Sequence, residues 1–415
     1  MNVLNSSISS RDVQSGTKTA FILIICGLGF AFELGELGLG SALLAIMSQP
    51  PHDASPSEMG WLAASSYLGA VLGAPLAGYL ADRFGRRRLM AAALLWLAAA
   101  SLGASTAPDV EALIAWRVAC GVSLGAFPPL VISYLSETLP AARRGRLILI
   151  VAGISALGAP LLLFLLRWLT PISPFGIEAW RWVVAAGAVG AGVSGWLAVL
   201  LPESRAWLAA LAEQSRRPQA SAGKLSAVVQ APFAFSAALF ALAPWATIAF
   251  PMLSSAVLLQ RGVQIGATVT YLAIASFGPV VGTLLCALVI EKVARSKAVI
   301  ATASLSLATV FAFLLAESEA QLAISLLCYN LAAAALNAVL FMYVAELFPT
   351  VNRATSTSAA WSVNRVCSVF APLVCTPILL SFGPLALGGV VAVALSMLIA
   401  ITLGGPAGNA GRSIE

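Results

Sequence analysis

The chain has 415 residues, of which 60% are apolar and only 10% are charged, and its mean hydropathy is +0.94. These values predict an integral membrane protein and exclude an ordinary soluble globular domain. The net charge of +6 is distributed in a way that indicates membrane topology and does not indicate nucleic-acid binding.

Apolar runs of about 20 residues, the length that crosses a bilayer, predict twelve spans. We number them span 1 to span 12, near residues 19–47, 58–81, 89–107, 110–135, 146–170, 180–201, 231–258, 266–290, 297–316, 320–345, 354–380 and 382–404. Residues 1–18 are polar and the first apolar run is long enough to stay in the membrane, so we expect no cleavable signal.

The positive residues orient these spans. With both termini placed in the cytoplasm, 18 of the 23 Lys and Arg residues lie on the cytoplasmic side. Three (Arg167, Arg181, Arg261) lie at outer ends of spans, and two (Arg117, Arg365) lie within spans. We therefore expect a multi-pass plasma-membrane protein, which in a bacterium means the inner membrane, with both termini cytoplasmic.

A dense charged loop joins spans 2 and 3. It reads Gly78-Tyr-Leu-Ala-Asp82-Arg83-Phe-Gly85-Arg86-Arg87-Arg88. So much charge cannot lie in hydrocarbon, so we expect a tight cytoplasmic turn in which Asp82 pairs with nearby arginines or caps a neighbouring helix. The order of residues resembles the loop between helices 2 and 3 of major facilitator superfamily transporters.

That resemblance implies an all-α membrane protein with twelve transmembrane helices in two pseudo-symmetric six-helix bundles. It also implies that the charged loop locks the two halves together on the inside during alternating access. The stretch 202–230 is the only long cytoplasmic connection. We expect an N-terminal six-helix bundle over 1–201, a cytoplasmic linker over 202–230 and a C-terminal six-helix bundle over 231–415.

An internal repeat supports this division. The segment Tyr134-Leu-Ser-Glu137-Thr-Leu-Pro140-Ala-Ala-Arg143-Arg144 recurs 209 residues later as Tyr343-Val-Ala-Glu346-Leu-Phe-Pro349-Thr-Val-Asn-Arg353. The charged loop has a weaker second copy, Glu291-Lys292-Val-Ala-Arg295-Ser-Lys297, and we expect only the first copy to keep the full lock. We expect Glu137 and Glu346 to form inner-gate salt bridges rather than to bind substrate. The predicted cytoplasmic gate is Gly78, Asp82, Arg83, Gly85, Arg86, Glu137, Arg144, Glu346 and Arg353.

Three motifs narrow the resemblance. They are the Tyr-x-x-Glu-x-x-Pro pattern, Trp180-Arg181-Trp182, and Pro202-Glu203-Ser204-Arg205-Ala-Trp207-Leu208. Together they resemble the sugar-porter and organic-ion branch of the superfamily, which includes metabolite–proton symporters. The last motif lacks the second proline of that branch's usual Pro-Glu-Ser-Pro-Arg-Trp-Leu.

Two acidic residues lie near the middle of span 1. Glu33 and Glu36 are three residues apart, so they share a helix face, and their mutual repulsion favours protonation of one of them. Their segment resembles the acidic stretch in helix 1 of aromatic-acid and related proton symporters, which implies a role in proton coupling. In the sugar-porter branch an arginine at the position of Arg117 lies beside the helix 1 acid. By that resemblance Arg117 switches the acid between paired and protonated states; the alternative is a purely structural ion pair.

Arg365 lies about twelve residues into span 11, near the bilayer centre, in Trp361-Ser-Val-Asn364-Arg365. A guanidinium at that depth needs a partner, which an anionic substrate would supply. The alternative is an ion pair across the cavity with Glu33 or Glu36. Arginine here also resembles organic-anion and aromatic-acid members of the superfamily. The other predicted pocket residues are Asn364, Tyr67, Asn330, Asn337 and Trp361, although the asparagines could equally mediate helix contacts.

The remaining polar groups indicate neither a cofactor nor a metal. The six cysteines lie in apolar runs without paired spacing, and we expect His52 to be a solvated loop residue. No nucleophile and base pair is evident, so we do not expect an enzyme.

Together these features predict a secondary active transporter that couples proton entry to uptake of a small organic anion, a carboxylate, by alternating access. We expect it to be monomeric, with the substrate, protons and the lipid bilayer as partners and no nucleic acid. The alternatives are a proton-driven exporter of drugs or metabolites, a sugar porter, and a transporter-derived receptor or scaffold.

Overall fold

The computed structural model describes residues 3–139, 144–204, 207–209, 212, 231–289, 293–348 and 353–406. Over these ranges the chain is helical and contains no strand. The helices are α1 (Val3–Met47), α2 (Pro56–Phe84), α3 (Arg86–Ser105), α4 (Val110–Thr138), α5 (Arg144–Ser155), α6 (Gly158–Leu169), α7 (Ala179–Ala198), α8 (Ala231–Pro244), α9 (Phe250–Gln260), α10 (Ile265–Ala275), α11 (Phe277–Val289), α12 (Arg295–Leu314), α13 (Glu319–Glu346) and α14 (Arg353–Leu403).

These helices form twelve membrane spans. Ten stretches of the described chain are long and apolar enough to cross a bilayer, and one of them, Ala359–Leu403, has 45 residues. A helix of that length would measure about 68 Å, more than twice the hydrocarbon thickness of about 30 Å. It bends at Gly383, whose φ of 81° is non-helical, and so supplies spans 11 and 12. The glycine-rich α7 is span 6. The twelve predicted spans are confirmed.

Three spans are broken into two helices each. Span 5 is α5 and α6, span 8 is α10 and α11, and span 7 is α8 and α9 joined by a π-helical turn, Trp245–Ala249. The break in span 5 lies where it crosses span 1. A Cβ at Gly158 would lie 1.7 Å from the Ala31 carbonyl oxygen. Only glycine therefore allows the two backbones to approach this closely.

A second close helix crossing is built from glycines and is repeated in both halves. On α2, a Cβ at Gly69 would lie 2.0 Å from the Val118 carbonyl oxygen, and one at Gly73 would lie 1.9 Å from that of Val122 on α4. Gly278 and Gly282 of α11, each 209 residues after its counterpart, pack in the same way against the backbone of α13. Spans 2 and 4, and spans 8 and 10, are therefore held in contact along their backbones.

The helices pack as two units with defined seams. In the first half α2 packs on α4 and α3 packs on α7, and in the second half α12 packs on α13 and α8 packs on α14. The halves meet where α2 contacts α14, α6 contacts α10, α5 contacts α11, and α1 contacts α9. The division into 1–201, 202–230 and 231–415 stays a prediction, because most of 202–230 lies outside the described residues.

Two of the three arginines predicted at outer ends of spans cap helix ends. Arg181 Nη1 donates to the carbonyl oxygens of Ser105 and Ala107, at 3.1 and 2.7 Å, just past the end of α3. Arg261 Nη1 donates to those of Phe313 and Ala316 at the end of α12, each at 3.1 Å. A cation at a helix C-terminus satisfies carbonyls that have no partner within the helix. The two outer arginines therefore stabilise spans 3 and 9.

The expectation that His52 is simply solvated is wrong. Its Nε2 lies 2.6 Å from Glu178 Oε1, across from the loop that precedes α7. Glu178 also accepts from Arg181 Nε at 3.1 Å and from Trp180 Nε1 at 3.1 Å. Burial by itself would raise the pKa of Glu178. The hydrogen bond and the charge of His52, together with the hydrogen bonds from Arg181 and Trp180, outweigh this effect and lower the pKa overall. This contact links the loop between spans 1 and 2 to the loop between spans 5 and 6.

Substituting the crossing glycines should destabilise the fold. Gly73→Val would place side-chain atoms against the backbone of α4, which cannot move away as a side chain can. We expect a loss of about 1–3 kcal/mol or more, seen as a lower Tm of the detergent-purified protein. The matched control is Gly389→Ala, because a Cβ there meets no atom within 4 Å. Equal melting of both variants would contradict the packing described.

Acidification should weaken the outer-loop contact. Because the pKa of Glu178 is lowered on folding, its contribution is present above the unfolded value of about 4.3 and is lost as the pH falls through the folded value. The side chain is 37% exposed, so we expect less than about 1 kcal/mol. The measurement is the Tm of wild type minus that of Glu178→Gln at pH 7 and near pH 3.5. The difference should shrink on acidification, and a constant difference would be evidence against the pair.

Candidate functional site

A fully buried ion pair joins span 1 to span 4. Arg117 Nη1 lies 2.8 Å from Glu36 Oε1 and 3.1 Å from the Glu36 backbone oxygen, and both residues are 1% exposed. Gly40, one turn further along α1, leaves room for the guanidinium, since a Cβ there would lie 3.1 Å from Arg117 Nη2. Glu36 Oε2 and Arg117 Nε and Nη2 have no hydrogen-bond partner among the described residues. The pair is therefore held by a single direct contact between its two side chains.

Glu33 lies one helical turn before Glu36 on the same face of α1. It is 2% exposed, and its Oε2 has no hydrogen-bond partner in the described part of the chain. The opposite charge that acts on it is Arg365, which belongs to the other half. The two acids therefore differ in environment: Glu36 is paired within its own half, whereas Glu33 makes no ion pair among the described residues and is influenced by a cation of the other half.

Arg365 lies twelve residues after the start of α14, about 18 Å along the helix. Its guanidinium carbon is 5.3 Å from the centre of the Trp361 ring, one turn earlier, which is a cation–π contact. Trp361 is in turn in edge contact with Phe240 of α8 and Phe341 of α13, at 5.0 and 5.3 Å. Arg365 Nε is buried and has no hydrogen-bond partner among the described residues. The Arg365 guanidinium thus lies against an aromatic wall formed by Trp361, Phe240 and Phe341. Its Nε–H remains available to donate a hydrogen bond.

The other predicted pocket residues are divided by their contacts. Tyr67 is buried within electrostatic range of both Arg117 and Arg365. Asn364 donates its amide to the Phe240 carbonyl oxygen at 3.1 Å, and Asn330 donates to the Leu326 carbonyl oxygen at 3.0 Å. Asn337 is half-buried in α13. The structure therefore brings Tyr67 to the charged centre, while the Asn364 amide is used in a contact between helices and the Asn330 amide in a bond within its own helix.

The charged loop between spans 2 and 3 makes contacts within its own half. Arg86 Nη1 lies 2.7 Å from Asp82 Oδ1, and Arg86 Nε lies 3.4 Å from Glu137 Oε1 at the end of α4. Glu137 also accepts from the Ser204 hydroxyl. Gly85, with φ of 95°, forms the turn between α2 and α3, and Arg83 is exposed. The sequence allowed Asp82 either to pair with an arginine or to cap a neighbouring helix, and in the structure it pairs with Arg86.

A carboxylate that the sequence did not single out caps α3. Glu203 Oε1 accepts from the backbone N–H of Arg87 at 3.0 Å. The stretch after span 6 also contacts the loop through Trp207 Nε1, which donates to the Asp82 carbonyl oxygen at 2.9 Å. The Pro-Glu-Ser motif could have indicated this cap, because it places an acid directly after span 6, on the side where the charged loop is predicted.

The second half contains the same ion pair. Arg295 Nε lies 2.8 Å from Glu346 Oε1, and these residues are the 209-residue counterparts of Arg86 and Glu137. The arginine–glutamate pair is therefore kept in both copies, and the expectation that only the first copy keeps the full lock stays a prediction. Tyr134 and Tyr343 likewise each donate to a proline carbonyl, of Pro202 and Pro406, at 2.7 and 2.6 Å.

The predicted inner gate remains a prediction. The ion pairs described at the cytoplasmic side each join residues of one half. Gly78 lies in α2, and a Cβ there would meet no atom within 4 Å. Arg144 and Arg353 begin α5 and α14, and their side chains lie outside the described part.

A twelve-span bundle of two repeated halves, with charges buried at mid-depth between them, is the architecture of a secondary membrane transporter. The Major Facilitator Superfamily matches residues 19–372, and the chain belongs to this family. The relatives and solved structures that it resembles are transporters.

Known relatives transport small metabolites. The niacin transporter NiaP of Acinetobacter baylyi is 31% identical over 166 residues, covering 40% of this chain and 36% of that protein. The D-xylose transporter of Levilactobacillus brevis is 30% identical over 200 residues, covering 46% and 41%. Both matches thus span about two-fifths or less of the relative's length. The crystal structure of a D-xylose-proton symporter has a TM-score of 0.73 at 19% identity, covering 92% of this chain and 96% of that one, which shows the shared fold.

Breaking the buried ion pair should be costly, and removing it entirely should be much less so. Arg117→Met leaves Glu36 without a partner, and we expect a loss of about 3–5 kcal/mol. The double variant Arg117→Met with Glu36→Leu should recover most of that loss, because no buried charge is left. Glu111→Gln, an exposed change on the same helix, should stay within about 0.5 kcal/mol. A double variant no more stable than the single ones would show that the pair does not couple the two sites.

Proposed function

We propose that this transporter takes up a small organic carboxylate together with a proton. Arg365 binds the substrate carboxylate, Glu33 carries the proton, and the Glu36–Arg117 pair holds span 1 in position beside them. The two six-helix halves then expose this centre to either side in turn. The cytoplasmic ion pairs close the inner side in the outward-facing state.

The observation that carries the proposal is the environment of Arg365. It is a cation near mid-membrane that lies on an aromatic wall, and its Nε has no hydrogen-bond partner among the described residues. Glu33 of the other half, whose Oε2 likewise has no partner there, acts on it electrostatically. A charge at this depth costs several kcal/mol unless it is paired or faces a cavity. A carboxylate ligand would supply hydrogen bonds to the guanidinium that the protein leaves unmade.

Coupling follows from competition for one cation. While Arg365 acts on Glu33, the two charges compensate each other. When a substrate carboxylate takes the guanidinium, Glu33 loses that compensation in a low-dielectric site and is stabilised by taking up a proton. One proton then enters with each monovalent anion, and the transported pair carries no net charge.

The aromatic wall supports a substrate with a flat ring. Trp361 and Phe341 lie beside Arg365 on the second half, and Phe341 is 43% exposed. A ring stacked against this wall would place an attached carboxylate toward the guanidinium. The niacin relative supports the same class, because niacin is a pyridine carboxylic acid.

A sugar porter is the second candidate. The D-xylose relative favours it, as does Asn337, a half-buried amide in span 10. Sugar recognition relies on several neutral hydrogen-bonding groups, and two of the three predicted asparagines already donate to backbone carbonyls. The carboxylate proposal accounts for the buried arginine, and the sugar proposal does not.

Uptake by proteoliposomes tests the proposal. Labelled nicotinate should accumulate when the interior is alkaline, and a potassium diffusion potential should change the rate by less than about twofold, because the transported pair is neutral. Glu33→Gln should keep exchange of labelled for unlabelled nicotinate and lose accumulation driven by the pH gradient. Arg365→Gln should weaken nicotinate binding by about 10-fold or more, the value of a charge-assisted hydrogen bond.

The control for Glu33→Gln is Glu111→Gln, which removes the same charge from an exposed position and should transport as wild type does. Uptake of D-xylose but not nicotinate, unchanged in Arg365→Gln, would replace the carboxylate proposal with the sugar porter. Nicotinate expulsion driven by proton entry would assign export.

A further inference from the structure

A groove of about 520 Å³ lies between the outer ends of spans 5 and 8, where the two halves meet. Its lining residues are Arg167, Thr170, Pro171, Gln264, Gly266, Ala267, Thr270 and Tyr271. The mid-membrane centre does not use any of them. The proposed transport mechanism therefore does not explain the groove.

Arg167 differs from the other two outer arginines. Arg181 and Arg261 donate to several backbone carbonyls at helix ends. Arg167 is exposed, and its Nε donates to the Thr270 hydroxyl across the seam at 3.0 Å. Among the described residues it takes part in no ion pair. Its charge is thus directed at the groove without a protein anion to neutralise it.

The opposite edge of the groove carries an acid. The Tyr271 hydroxyl donates to Glu319, which lies in the first turn of α13. The groove is therefore bordered by a cation on one side and, behind one hydroxyl, by a carboxylate on the other. A ligand that matches this arrangement carries a negative and a positive group close together.

Below the groove the seam is apolar and exposed. Phe164, one turn before Arg167 on α6, contacts Phe277 at 6.2 Å between ring centres, and the two are 41% and 37% exposed. Phe277 lies seven residues after Thr270, about 10 Å deeper in the membrane. Trp168, 65% exposed beside Arg167, is the type of residue found at the headgroup level of bilayers. A molecule that fits both parts has a polar head and an acyl tail.

We propose that this groove binds a zwitterionic phospholipid of the outer leaflet. Its phosphate contacts Arg167, its amine lies toward Glu319, and an acyl chain lies along Phe164 and Phe277. A soluble anion would gain nothing from the apolar seam. Because α6 and α10 wall the groove from opposite halves, the bound lipid contacts both, and its affinity depends on how far the halves are separated there.

The test is retention of phosphatidylethanolamine by the detergent-purified full chain, followed by native mass spectrometry during lipid titration. Wild type should hold one lipid, and Arg167→Gln should bind it about 10-fold more weakly, because a charge-assisted hydrogen bond to phosphate is lost. Arg167→Lys should recover part of the affinity. Arg88→Gln, which removes an exposed arginine from the cytoplasmic side, should bind within about twofold of wild type.

Thr270→Val separates charge from structure. It removes the hydrogen bond across the seam and leaves the charge of Arg167, so lipid binding should persist. Equal losses in Thr270→Val and Arg167→Gln would mean that the tie between the halves forms the groove and would overturn the proposed phosphate contact.

Two further outcomes would overturn the proposal. Inorganic phosphate that displaces the lipid at equal concentration would make the groove a site for a free anion. Nicotinate binding that is lost in Arg167→Gln while lipid retention is unchanged would make it part of the substrate path. The lipid readout does not depend on transport, so it can fail or succeed separately from the carboxylate proposal.

Discussion

The cost of placing charge in hydrocarbon governs how this protein is built. It explains why most arginines and lysines are predicted on one side of the membrane, and it pairs Arg117 with Glu36 inside the first half. It leaves Glu33 and Arg365 in different halves, where each acts on the other electrostatically and the described residues form no direct ion pair between them. An ion pair inside one half can last through a transport cycle. A compensation that crosses the seam must be renewed whenever a ligand or a proton intervenes, which is why we assign transport to that pair.

The repeated contacts indicate which parts of the molecule move together. The glycine crossings, the arginine–glutamate pairs and the tyrosine–proline hydrogen bonds each join residues of the same half, and each occurs in both halves. Each half is therefore braced, among the described residues, by contacts of its own. Motion between inward-facing and outward-facing states is then expected at the seams, where packing between side chains prevails over backbone contact.

The sequence was sufficient to predict the parts of the structure that depend on local composition along the chain. Apolar runs of membrane length predicted all twelve spans, and the recurrence of Tyr134 and Glu137 as Tyr343 and Glu346 predicted the duplicated architecture. Contacts between distant segments could not be predicted in this way. The partner of His52 lies 126 residues away, and the Asn364 amide meets a carbonyl 124 residues away. Span 5 is interrupted just before Gly158, where it packs against the Ala31 carbonyl of span 1. Only the folded chain brings these two segments together.

The two copies have also diverged in length, and the site of that divergence can be located. Counterparts from Gly69 to Glu137 recur at 209 residues, but Pro202 and Pro406, which accept the equivalent tyrosine bonds, are 204 residues apart. A net deletion of five residues in the second copy, or an insertion in the first, therefore falls after the glutamates. The outer turns show it: spans 11 and 12 are joined at the single kink of Gly383, while spans 5 and 6 are joined by a loop in which Phe175 is 91% exposed. Because the loop between spans 5 and 6 differs in length between the two copies, it is the better position for inserting an epitope or attaching a fluorophore. The turn at Gly383 has no additional residues that could accommodate an insertion.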